Sequence, residues 1–386
     1  MRVTDALNIA DLALLARRRL PRVIFDFIDG GAEDEVTLRD NRSAFGHLRF
    51  RPRVLTGNAR RDLSIELFGQ KLATPFLIGP TGLNGIHWRD GDLALARAAS
   101  EAGIGFALST ASNNSLEQVA GCAPGPKFFQ LYPWGDRKLS GRLIERAAAA
   151  GYKALIVTVD SLVAGRRERD VRNHFAHEVN ITPRVVWDGL THPRWLVSVW
   201  LRGGMPRIEN IAEFLPPGAN AHDLAAFTRS QRNPRLVWED IEWMRRQWSG
   251  PLLVKGVLTA EDTLRAAAAG ANGVVVSNHG GRQLDGAPAT IEVLPEIVAA
   301  ANSSMVVLID GGFYRGSNVV KALALGAKGV LLGRATLYGL AAGGQSGVAK
   351  AISILREEMD RVLALTGCAS IADITPRLVA PKTGAA

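Results

Sequence analysis

Eight short runs of aliphatic and β-branched residues recur along the chain, and most of them end in small or polar residues. The runs occupy 75–80, 105–110, 127–132, 154–160, 251–256, 273–278, 305–312 and 328–334. Continuous apolar runs of this length are typical of strands that are buried on both faces. Alanine-rich amphipathic segments follow several of the runs and end at a glycine, the residue that helix C-termini prefer. These segments occupy 92–103, 140–151, 260–270 and 316–326.

Eight strand–helix units favour a closed α/β barrel, the (β/α)8 TIM barrel, over an open doubly wound sheet. We treat 1–386 as a single domain with two additions. Residues 1–74 predict an N-terminal cap of helices with a hairpin at 62–75 that covers one barrel mouth. The interval after the fourth strand, from Ser161 to about Gly250, is far longer than a normal βα connection and predicts an insertion at about 177–217.

The composition is that of a globular protein, with 47% hydrophobic and 22% charged residues among 386. Its two cysteines, Cys122 and Cys368, are too few for a disulfide framework or a structural zinc site and favour a reducing compartment. We find no signal-peptide pattern, and no apolar run approaches the roughly 18–20 residues that cross a bilayer. We therefore expect a chain that is cytoplasmic or lies on a membrane surface.

In barrel enzymes the reactive residues lie at the carboxyl ends of the strands. Polar residues and glycines close nearly every apolar run here, a pattern that packing does not explain. The candidates are Pro80, Thr81, Gly82, Ser109, Gln130, Tyr132, Thr158, Asp160, Lys255, Ser277, His279, Asp310, Gly311, Gly312, Gly333 and Arg334.

The loops after the last two strands carry the features of a phosphate site. Gly311 and Gly312 are followed by Arg315, and Gly333 is followed by Arg334. Bare backbone N–H groups and a helix N-terminus favour an anion, and barrels often bind phosphate at this place. The alternative is that these glycines form ordinary tight turns, but two such loops paired with cations favour phosphate.

The segment SNHGGRQLD at 277–285 presents a histidine and an arginine from one short loop. A lone histidine is more often structural, but His279 at a strand end, three residues from Arg282, is a candidate base beside an anion-binding group. Asp160 is expected to orient its imidazole and to raise its pKa. The other six histidines lack this context; we interpret His174 and His177 as surface or insertion residues and see no metal site.

Lys255 ends the fifth run among apolar residues and therefore needs an anionic or polar partner. One interpretation is an amine that forms a Schiff base. The other is a cation that stabilises negative charge developing on a cofactor, and the predicted phosphate site favours this second interpretation.

Taken together, these motifs resemble the FMN-dependent L-2-hydroxy acid dehydrogenase/oxidase family. The resemblance covers nearly the whole chain, from 18–35 to 364–374, and SNHGGRQLD is specific by itself. The motifs that carry it are GPTG (79–82), FFQLY (128–132), TVD (158–160), GRRERD (165–170), VKG (254–256), SNHGGRQLD (277–285), IDGG (309–312) and LGR (332–334).

The resemblance implies FMN as cofactor and His279 as the base, with Asp160 as its partner. Arg282 and Arg167 would bind the substrate carboxylate. Tyr132 would hydrogen-bond the reacting oxygen, and Lys255 would stabilise the reduced flavin. The resemblance leaves open whether His279 takes the α-proton or the hydroxyl proton of the substrate. Further flavin contacts would come from Pro80, Thr81, Gly82, Ser109, Gln130, Thr158, Ser277, Asp310, Gly311, Gly312, Arg315, Gly333 and Arg334.

Four positions refine this expectation. Phe27 stands where the family usually has a tyrosine that helps to bind the carboxylate, and Tyr314 stands where it commonly has a second phosphate-loop arginine. The first change removes a hydrogen bond to a charged group, worth roughly 1.5–3 kcal/mol. Gly82, where the oxidases tend to have alanine, favours a dehydrogenase. Ala111, where glycolate oxidases have tryptophan, leaves space for a large or aromatic substrate side chain.

GPTGLNG, HPRW and RGGMP resemble the membrane-associated branch of the family, that of (S)-mandelate and L-lactate dehydrogenases, whose insertion docks to a membrane. The segment 187–207 has a composition suited to a lipid headgroup boundary, which attracts aromatic and basic side chains. The alternative is a loop buried against its own barrel or a neighbouring subunit. The residues in question are Trp187, Trp195, Leu196, Val197, Trp200 and Leu201, among Arg184, Arg194, Arg202 and Arg207.

We therefore predict FMN-dependent oxidation of an aromatic, mandelate-like L-2-hydroxy acid to the 2-oxo acid, with electrons passed to a membrane quinone or another carrier. We expect a homotetramer at the cytoplasmic face of the membrane. The net charge of +9 suits anionic lipid, and no motif supports a nucleic-acid partner. The alternatives are a hydroxy acid oxidase that produces hydrogen peroxide and a membrane-peripheral flavin-binding protein with weak catalysis.

Overall fold

A closed barrel of eight parallel strands forms the centre of the computed structural model, which describes residues 1–175, 182–203, 207–216, 221–231 and 233–382. Each strand pairs with the next, and the barrel closes where Val330 lies opposite Phe76. The predicted TIM barrel is confirmed. The strands are β1 Phe76–Ile78, β2 Gly105–Ser109, β3 Lys127–Leu131, β4 Ala154–Thr158, β5 Leu252–Val257, β6 Gly273–Val276, β7 Val306–Ile309 and β8 Gly329–Leu332.

Helices surround the barrel and begin at side-chain caps where the sequence offers them. The hydroxyls of Ser115 and Thr259 accept hydrogen bonds from the N–H groups three residues ahead, which the first helical turn leaves unpaired. The α-helices are Ile9–Arg19, Arg22–Asp29, Val36–Ser43, Gly91–Glu101, Leu116–Cys122, Arg137–Ala149, Glu168–Arg172, Pro183–Leu190, Pro193–Trp195, Ala221–Ser230, Trp238–Gln247, Ala260–Ala268, Thr290–Ala301, Gly316–Ala324 and Arg334–Thr366.

Shorter elements complete the chain. The helix Arg334–Thr366 is interrupted at Gly343 and Gly344. A π-helical segment, Leu196–Leu201, continues the helix Pro193–Trp195. Strands Leu48–Phe50 and Val379–Pro381 pair antiparallel. The 3-10 helices are Val3–Asp5, Ala44–His47, Asn84–Ile86, Glu209–Phe214, Ile371–Asp373 and Pro376–Leu378.

A hairpin of strands Ile65–Leu67 and Gln70–Leu72 covers the amino-terminal mouth of the barrel. Its Leu67 and Leu72 are fully buried, and burying one such side chain stabilises a fold by roughly 1.5–3 kcal/mol. The hairpin expected at 62–75 therefore seals one end of the barrel with apolar contacts. Its side chains pack on Leu77, Ala107, Phe128, Ala154, Ile156, Leu253, Val275, Leu308 and Leu331 inside the barrel.

The predicted docking segment 187–207 faces both inward and outward. Trp195 and Val199 are buried, and Trp195 Nε1 donates a hydrogen bond to the Ile86 carbonyl (2.8 Å). Trp187 and Leu201, by contrast, are about 70% exposed. The burial of Trp195 and Val199 agrees with the interpretation of a loop packed against its own barrel, whereas the docking of the exposed side chains to a membrane stays a prediction. His177, the Arg184 side chain and 204–206 lie outside the described residues.

Candidate active site

A cavity opens at the carboxyl-terminal mouth of the barrel and collects most of the residues predicted from the strand ends. It is also lined by Phe27 and Ile28 from the helix Arg22–Asp29, so the N-terminal cap contributes to its wall. The predicted residues that line it are Pro80, Thr81, Gly82, Tyr132, Arg167, Lys255, His279, Arg282, Asp310, Gly311, Gly312, Gly333 and Arg334.

The loop after β6 holds His279 in an unusual backbone conformation. His279 has φ of +57°, and Gly280 and Gly281 follow with φ of +66° and +74°. A Cβ on Gly281 would lie 2.6 Å from the backbone nitrogen of Leu38, so glycine is required there. For a residue with a side chain this conformation costs on the order of 1–3 kcal/mol and is concentrated at functional sites.

His279 and Asp160 form a close pair. His279 Nδ1 lies 2.8 Å from Asp160 Oδ1, and the two side chains are only 19% and 11% exposed. A carboxylate only accepts hydrogen bonds, so the neutral imidazole carries its proton on Nδ1 and leaves the lone pair on Nε2. That is the tautomer a general base requires.

Asp160 raises the pKa of His279, as expected, but the net pKa lies below its ordinary value. Burial lowers the pKa of the imidazole, and the positive charge of Lys255 lowers it further, while Asp160 offsets these effects only in part. For Asp160, burial alone would raise the pKa, but His279 and Lys255 hold it below its ordinary value. The pair is therefore a neutral imidazole beside an ionised carboxylate at neutral pH.

Lys255 remains a cation although it is 4% exposed. Its Nζ donates to Ser277 Oγ (2.9 Å) and lies 3.2 Å from Asp310 Oδ2. Burial lowers the pKa of the amine, but the carboxylates of Asp310 and Asp160 raise it more, and the net pKa lies above its ordinary value. A Schiff base needs the neutral amine, so the charge-stabilising interpretation is favoured.

Three guanidinium groups, those of Arg167, Arg282 and Arg334, line the cavity. Arg282 Nη1 donates to the carbonyls of Phe27 (2.8 Å) and Gly30 (2.9 Å). Burial together with the repulsion of Arg167 and Arg334 lowers the pKa of Arg282 well below its ordinary value. This mutual repulsion is relieved when an anion binds between the cations.

One end of the cavity has the geometry of a phosphate site. The helix Arg334–Thr366 begins there, and Gly311, Gly312 and Gly333 line the cavity beside it. Arg315 does not reach the cavity: its Nη1 is 2.6 Å from Glu358 Oε1. The prediction for Arg315 is therefore corrected, because its charge is taken up by a carboxylate of the same long helix.

Three predicted side chains bond to one another instead of lining the cavity. Ser109 Oγ donates to Gln130 Oε1, and Gln130 Nε2 donates to Thr158 Oγ1, both at 2.9 Å. They form a buried polar row across the ends of β2, β3 and β4. Thr158 lines a smaller adjoining pocket, together with Tyr132 and His279.

Sequence reasoning missed several residues of the cavity wall. His87 was set aside with the other histidines, although it follows β1 and lines the cavity. The only signal was its place in the loop after a barrel strand. Leu83, Phe313, Ala335 and Leu337 are apolar positions with no pattern that distinguishes them from core residues.

The donor set fits FMN. The helix N-terminus with its glycines and Arg334 suits a phosphate, and buried, protonated Lys255 suits a ring that becomes negatively charged. Asp310 Oδ1 is buried without a hydrogen-bond partner among the described residues and is available to a hydroxyl. Within the same part of the chain, no group of three or more His, Cys, Asp or Glu side chains could hold a metal ion.

Comparisons with known proteins agree with this site. Residues 16–381 match the model of the FMN-dependent dehydrogenase family. The chain is 46% identical to (S)-mandelate dehydrogenase of Pseudomonas putida over 370 residues, which covers 96% of this chain and 92% of that protein. It is 41% identical to glycolate oxidase 3 of Oryza sativa subsp. indica over 368 residues, 95% of this chain and 94% of the relative.

A solved structure is similar throughout. The monotopic membrane protein (S)-mandelate dehydrogenase superposes with a TM-score of 0.94 at 45% identity, over 98% of this chain and 100% of that one. Family model, relatives and fold therefore agree, and the chain belongs to the family of FMN-dependent dehydrogenases that act on 2-hydroxy acids.

Proposed function

We propose that the chain oxidises an aromatic, mandelate-like L-2-hydroxy acid to the 2-oxo acid with FMN and passes the electrons to a membrane quinone or another carrier. The observation that carries this proposal is the His279–Asp160 pair, 2.8 Å apart, in the same cavity as Arg282 and Arg167. A base and an anion site side by side suit a substrate whose reacting carbon bears a carboxylate.

In this proposal the two arginines bind the carboxylate and orient the substrate. His279 Nε2 takes a proton, and Asp160 then stabilises the imidazolium across its 2.8 Å contact. Burial raises the pKa of Tyr132, so its hydroxyl stays protonated and donates to the reacting oxygen. The oxidation removes two electrons and two protons from the substrate; His279 takes one proton, and the other would leave with the two electrons to the flavin.

FMN accepts the two electrons when it is bound. Arg334, Gly311, Gly312 and Gly333 would hold its phosphate and ribityl chain with Asp310, and Lys255 would stabilise the charge that the ring gains. Pro80, Thr81, Gly82 and Ser277 would contact the ring, and the polar row Ser109, Gln130 and Thr158 would support its edge. Their positions at the cavity or at adjoining strand ends support these assignments.

The aromatic substrate class is supported by the small residues on one wall. Gly82 and Ala111 both line the cavity, where larger side chains would fill it. The similarity to proteins called (S)-mandelate dehydrogenase points to the same class.

The test is anaerobic addition of (S)-mandelate, (R)-mandelate, L-lactate and longer 2-hydroxy acids to the FMN-loaded protein, followed by flavin absorbance. Rapid bleaching by (S)-mandelate alone supports the proposal. Faster bleaching by L-lactate contradicts the aromatic class. Stable binding of FMN with no bleaching by any acid contradicts the enzymatic function and favours the flavin-binding alternative.

A peroxide-producing oxidase is the second candidate, because the relatives include glycolate and L-lactate oxidases. Gly82 supports the dehydrogenase, because the resemblance places alanine here in the oxidases, and in this chain the Cβ of an alanine would lie 2.8 Å from Ala111 Cβ. Mixing the reduced protein with air distinguishes the two. Slow reoxidation without peroxide supports the dehydrogenase, and fast reoxidation with peroxide contradicts it.

We further propose that the insertion at about 177–217 of the single domain 1–386 docks to a membrane. We define the outward face as Val186, Trp187, Leu190, Val197 and Leu201, which are all at least 42% exposed. Arg194 and Arg202, also exposed, lie beside it. An apolar face next to cations suits an interfacial helix, and the similar solved structure is called monotopic. No described helix is long and apolar enough to cross a bilayer.

The corresponding test is Trp187→Ser with Leu190→Ser and Leu201→Ser, compared with the exposed control Leu264→Ser on the barrel helix Ala260–Ala268. Loss of sedimentation with anionic vesicles, with flavin reduction retained, supports docking. Unchanged sedimentation contradicts it.

The cytoplasmic face of the membrane and a homotetramer complete the proposal. Both follow from the resemblance to the membrane-associated branch. Protease accessibility in sealed vesicles and light scattering of the detergent-solubilised protein test them.

A further inference from the structure

His87 is an unused polar group inside the cavity. It follows β1, its side chain is completely buried, and it lines the same cavity as Arg282 and His279. Neither Nδ1 nor Nε2 has a hydrogen-bond partner among the described residues. Buried polar atoms in proteins are nearly always paired. A buried histidine with two unpaired nitrogens therefore points to a ligand that forms a hydrogen bond with it.

The protonation state of His87 defines what it can offer. Burial, together with the charge of Arg282, lowers the pKa of the imidazole to about 3. The ring is therefore neutral at physiological pH and presents one N–H donor and one acceptor nitrogen.

The neighbours of His87 place it next to the anion site. Its ring stacks on Phe27 with centroids 6.1 Å apart, and Arg282 Cζ lies 5.2 Å from the centre of the same phenyl ring. The Phe27 side chain offers no hydrogen bond. A molecule in the cavity that His87 shares with Arg282 can supply the group that pairs with the imidazole.

Even with Arg167 beside it, Arg282 leaves room for a further donor to a bound carboxylate. Its Nη1 is used by the carbonyls of Phe27 and Gly30, so only the rest of the guanidinium is available to a ligand. A carboxylate has about four lone-pair sites and accepts several donors. A neutral N–H beside the arginine adds a donor without adding to the repulsion among the cations.

We propose that His87 is a substrate-binding residue that donates a hydrogen bond to the carboxylate of the 2-hydroxy acid beside Arg282. This inference rests on the proposed function and names a further contact of the same site.

The test compares His87→Leu with His87→Gln, which retains an N–H donor. Benzoylformate is the 2-oxo acid formed from mandelate. Its binding to the oxidised holoenzyme is measured by perturbation of the flavin spectrum. KM and kcat are measured with (S)-mandelate and L-lactate. We expect His87→Leu to weaken benzoylformate binding and to raise KM about tenfold or more for both acids. His87→Gln should lose less affinity for benzoylformate than His87→Leu. In both variants kcat should change less than KM.

Thermal unfolding of the substrate-free proteins separates binding from a structural role. Leucine replaces a polar group that has no hydrogen-bond partner in the described part of the chain, so His87→Leu should be at least as stable as the wild type. A destabilised variant with unchanged affinity would show that His87 is structural. A loss confined to ring-hydroxylated mandelates would show that it binds the substrate side chain, which also overturns the proposal.

The two hypotheses fail differently. If no 2-hydroxy acid bleaches the wild-type flavin, the proposed function fails. Benzoylformate binding to the oxidised protein still reports on His87 in that case, since it requires no turnover. Equal affinities of wild type and His87→Leu overturn the inference while leaving the oxidation of mandelate intact.

Discussion

The two mouths of the barrel are built on opposite principles. At the amino-terminal mouth, Leu67 and Leu72 of the hairpin fill the space between the strands, and the contacts are apolar. At the carboxyl-terminal mouth, cations crowd together, and Asp160 Oδ2, Asp310 Oδ1 and both nitrogens of His87 are buried without partners among the described residues. The first mouth is complete in the free protein, whereas the second is completed by what it binds.

This difference also appears in the backbone. The left-handed conformation of His279 and of the two glycines after it belongs to the carboxyl-terminal mouth. Strain and unpaired polar atoms reduce stability, and a fold tolerates them where binding or chemistry depends on them. The apolar contacts of the hairpin contribute stability that offsets these costs. Substitutions at the two mouths should therefore separate activity from stability.

The largest effect is expected for His279→Ala. Without the base, the rate of flavin reduction by (S)-mandelate should fall by about 10²–10⁴-fold, while the yellow cofactor is retained. Anaerobic stopped-flow absorbance measures the rate. His47→Ala, a change at an exposed histidine outside the cavity, is the matched control and should reduce flavin normally. Near-normal reduction in His279→Ala would refute the assignment of the base.

Leu72→Ala should produce the opposite result at the other mouth. Removing a fully buried leucine side chain leaves a cavity and should lower the free energy of unfolding by about 2–5 kcal/mol, with flavin reduction unchanged at low temperature. Denaturant unfolding measures the loss. Leu264→Ala, at a 57% exposed position, should cost far less. A slower flavin reduction in Leu72→Ala would show that the two mouths are coupled.

Asp160→Asn should have a smaller effect that depends on pH. Losing a charged hydrogen-bond partner of His279 should lower kcat/KM by about 10–100-fold. Asp160 raises the pKa of His279 against the effect of burial, so its removal should shift the acid limb of the pH–rate profile to lower pH. A shift to higher pH would contradict the electrostatic role given to Asp160.

The smallest effect concerns the wild-type pH profile. The base works in its neutral form, and its pKa is lowered from 6.5, so the midpoint of the acid limb of kcat/KM should lie below pH 6.5. Steady-state assays with an artificial electron acceptor measure the profile. A midpoint above 6.5 would mean that Asp160 outweighs burial after all.

The similarity of the strand ends to one another explains why so much of the site could be predicted. Parallel barrel strands buried on both faces must be continuously apolar, so Lys255 and Asp310 stand out at the end of their runs. Gly280 and Gly281 likewise stand directly after His279 in the sequence, so the glycine loop beside the base could be predicted. These features depend on neighbours in sequence, and the structure puts them in one cavity.

Other features depended on distant contacts. Arg315 follows two glycines as a phosphate ligand would, yet Glu358, forty-three residues away, takes its charge. His87 follows an apolar run like many loop residues, and only the packing of Phe27 against it shows that it is enclosed. The segment 187–207 is rich in tryptophan throughout, and no local pattern separates buried Trp195 from exposed Trp187.

By itself, the sequence determined the eight strand–helix units, the mouth at which the chemistry lies and the residues that close each strand. Periodicity and strand-end chemistry are local, and the closed barrel follows from repeating them. Only the tertiary structure decided which charges meet, which side chains lose water and hence the direction of the His279 pKa shift. Burial and Coulomb interactions depend on distances through space, which the order of residues along the chain does not contain.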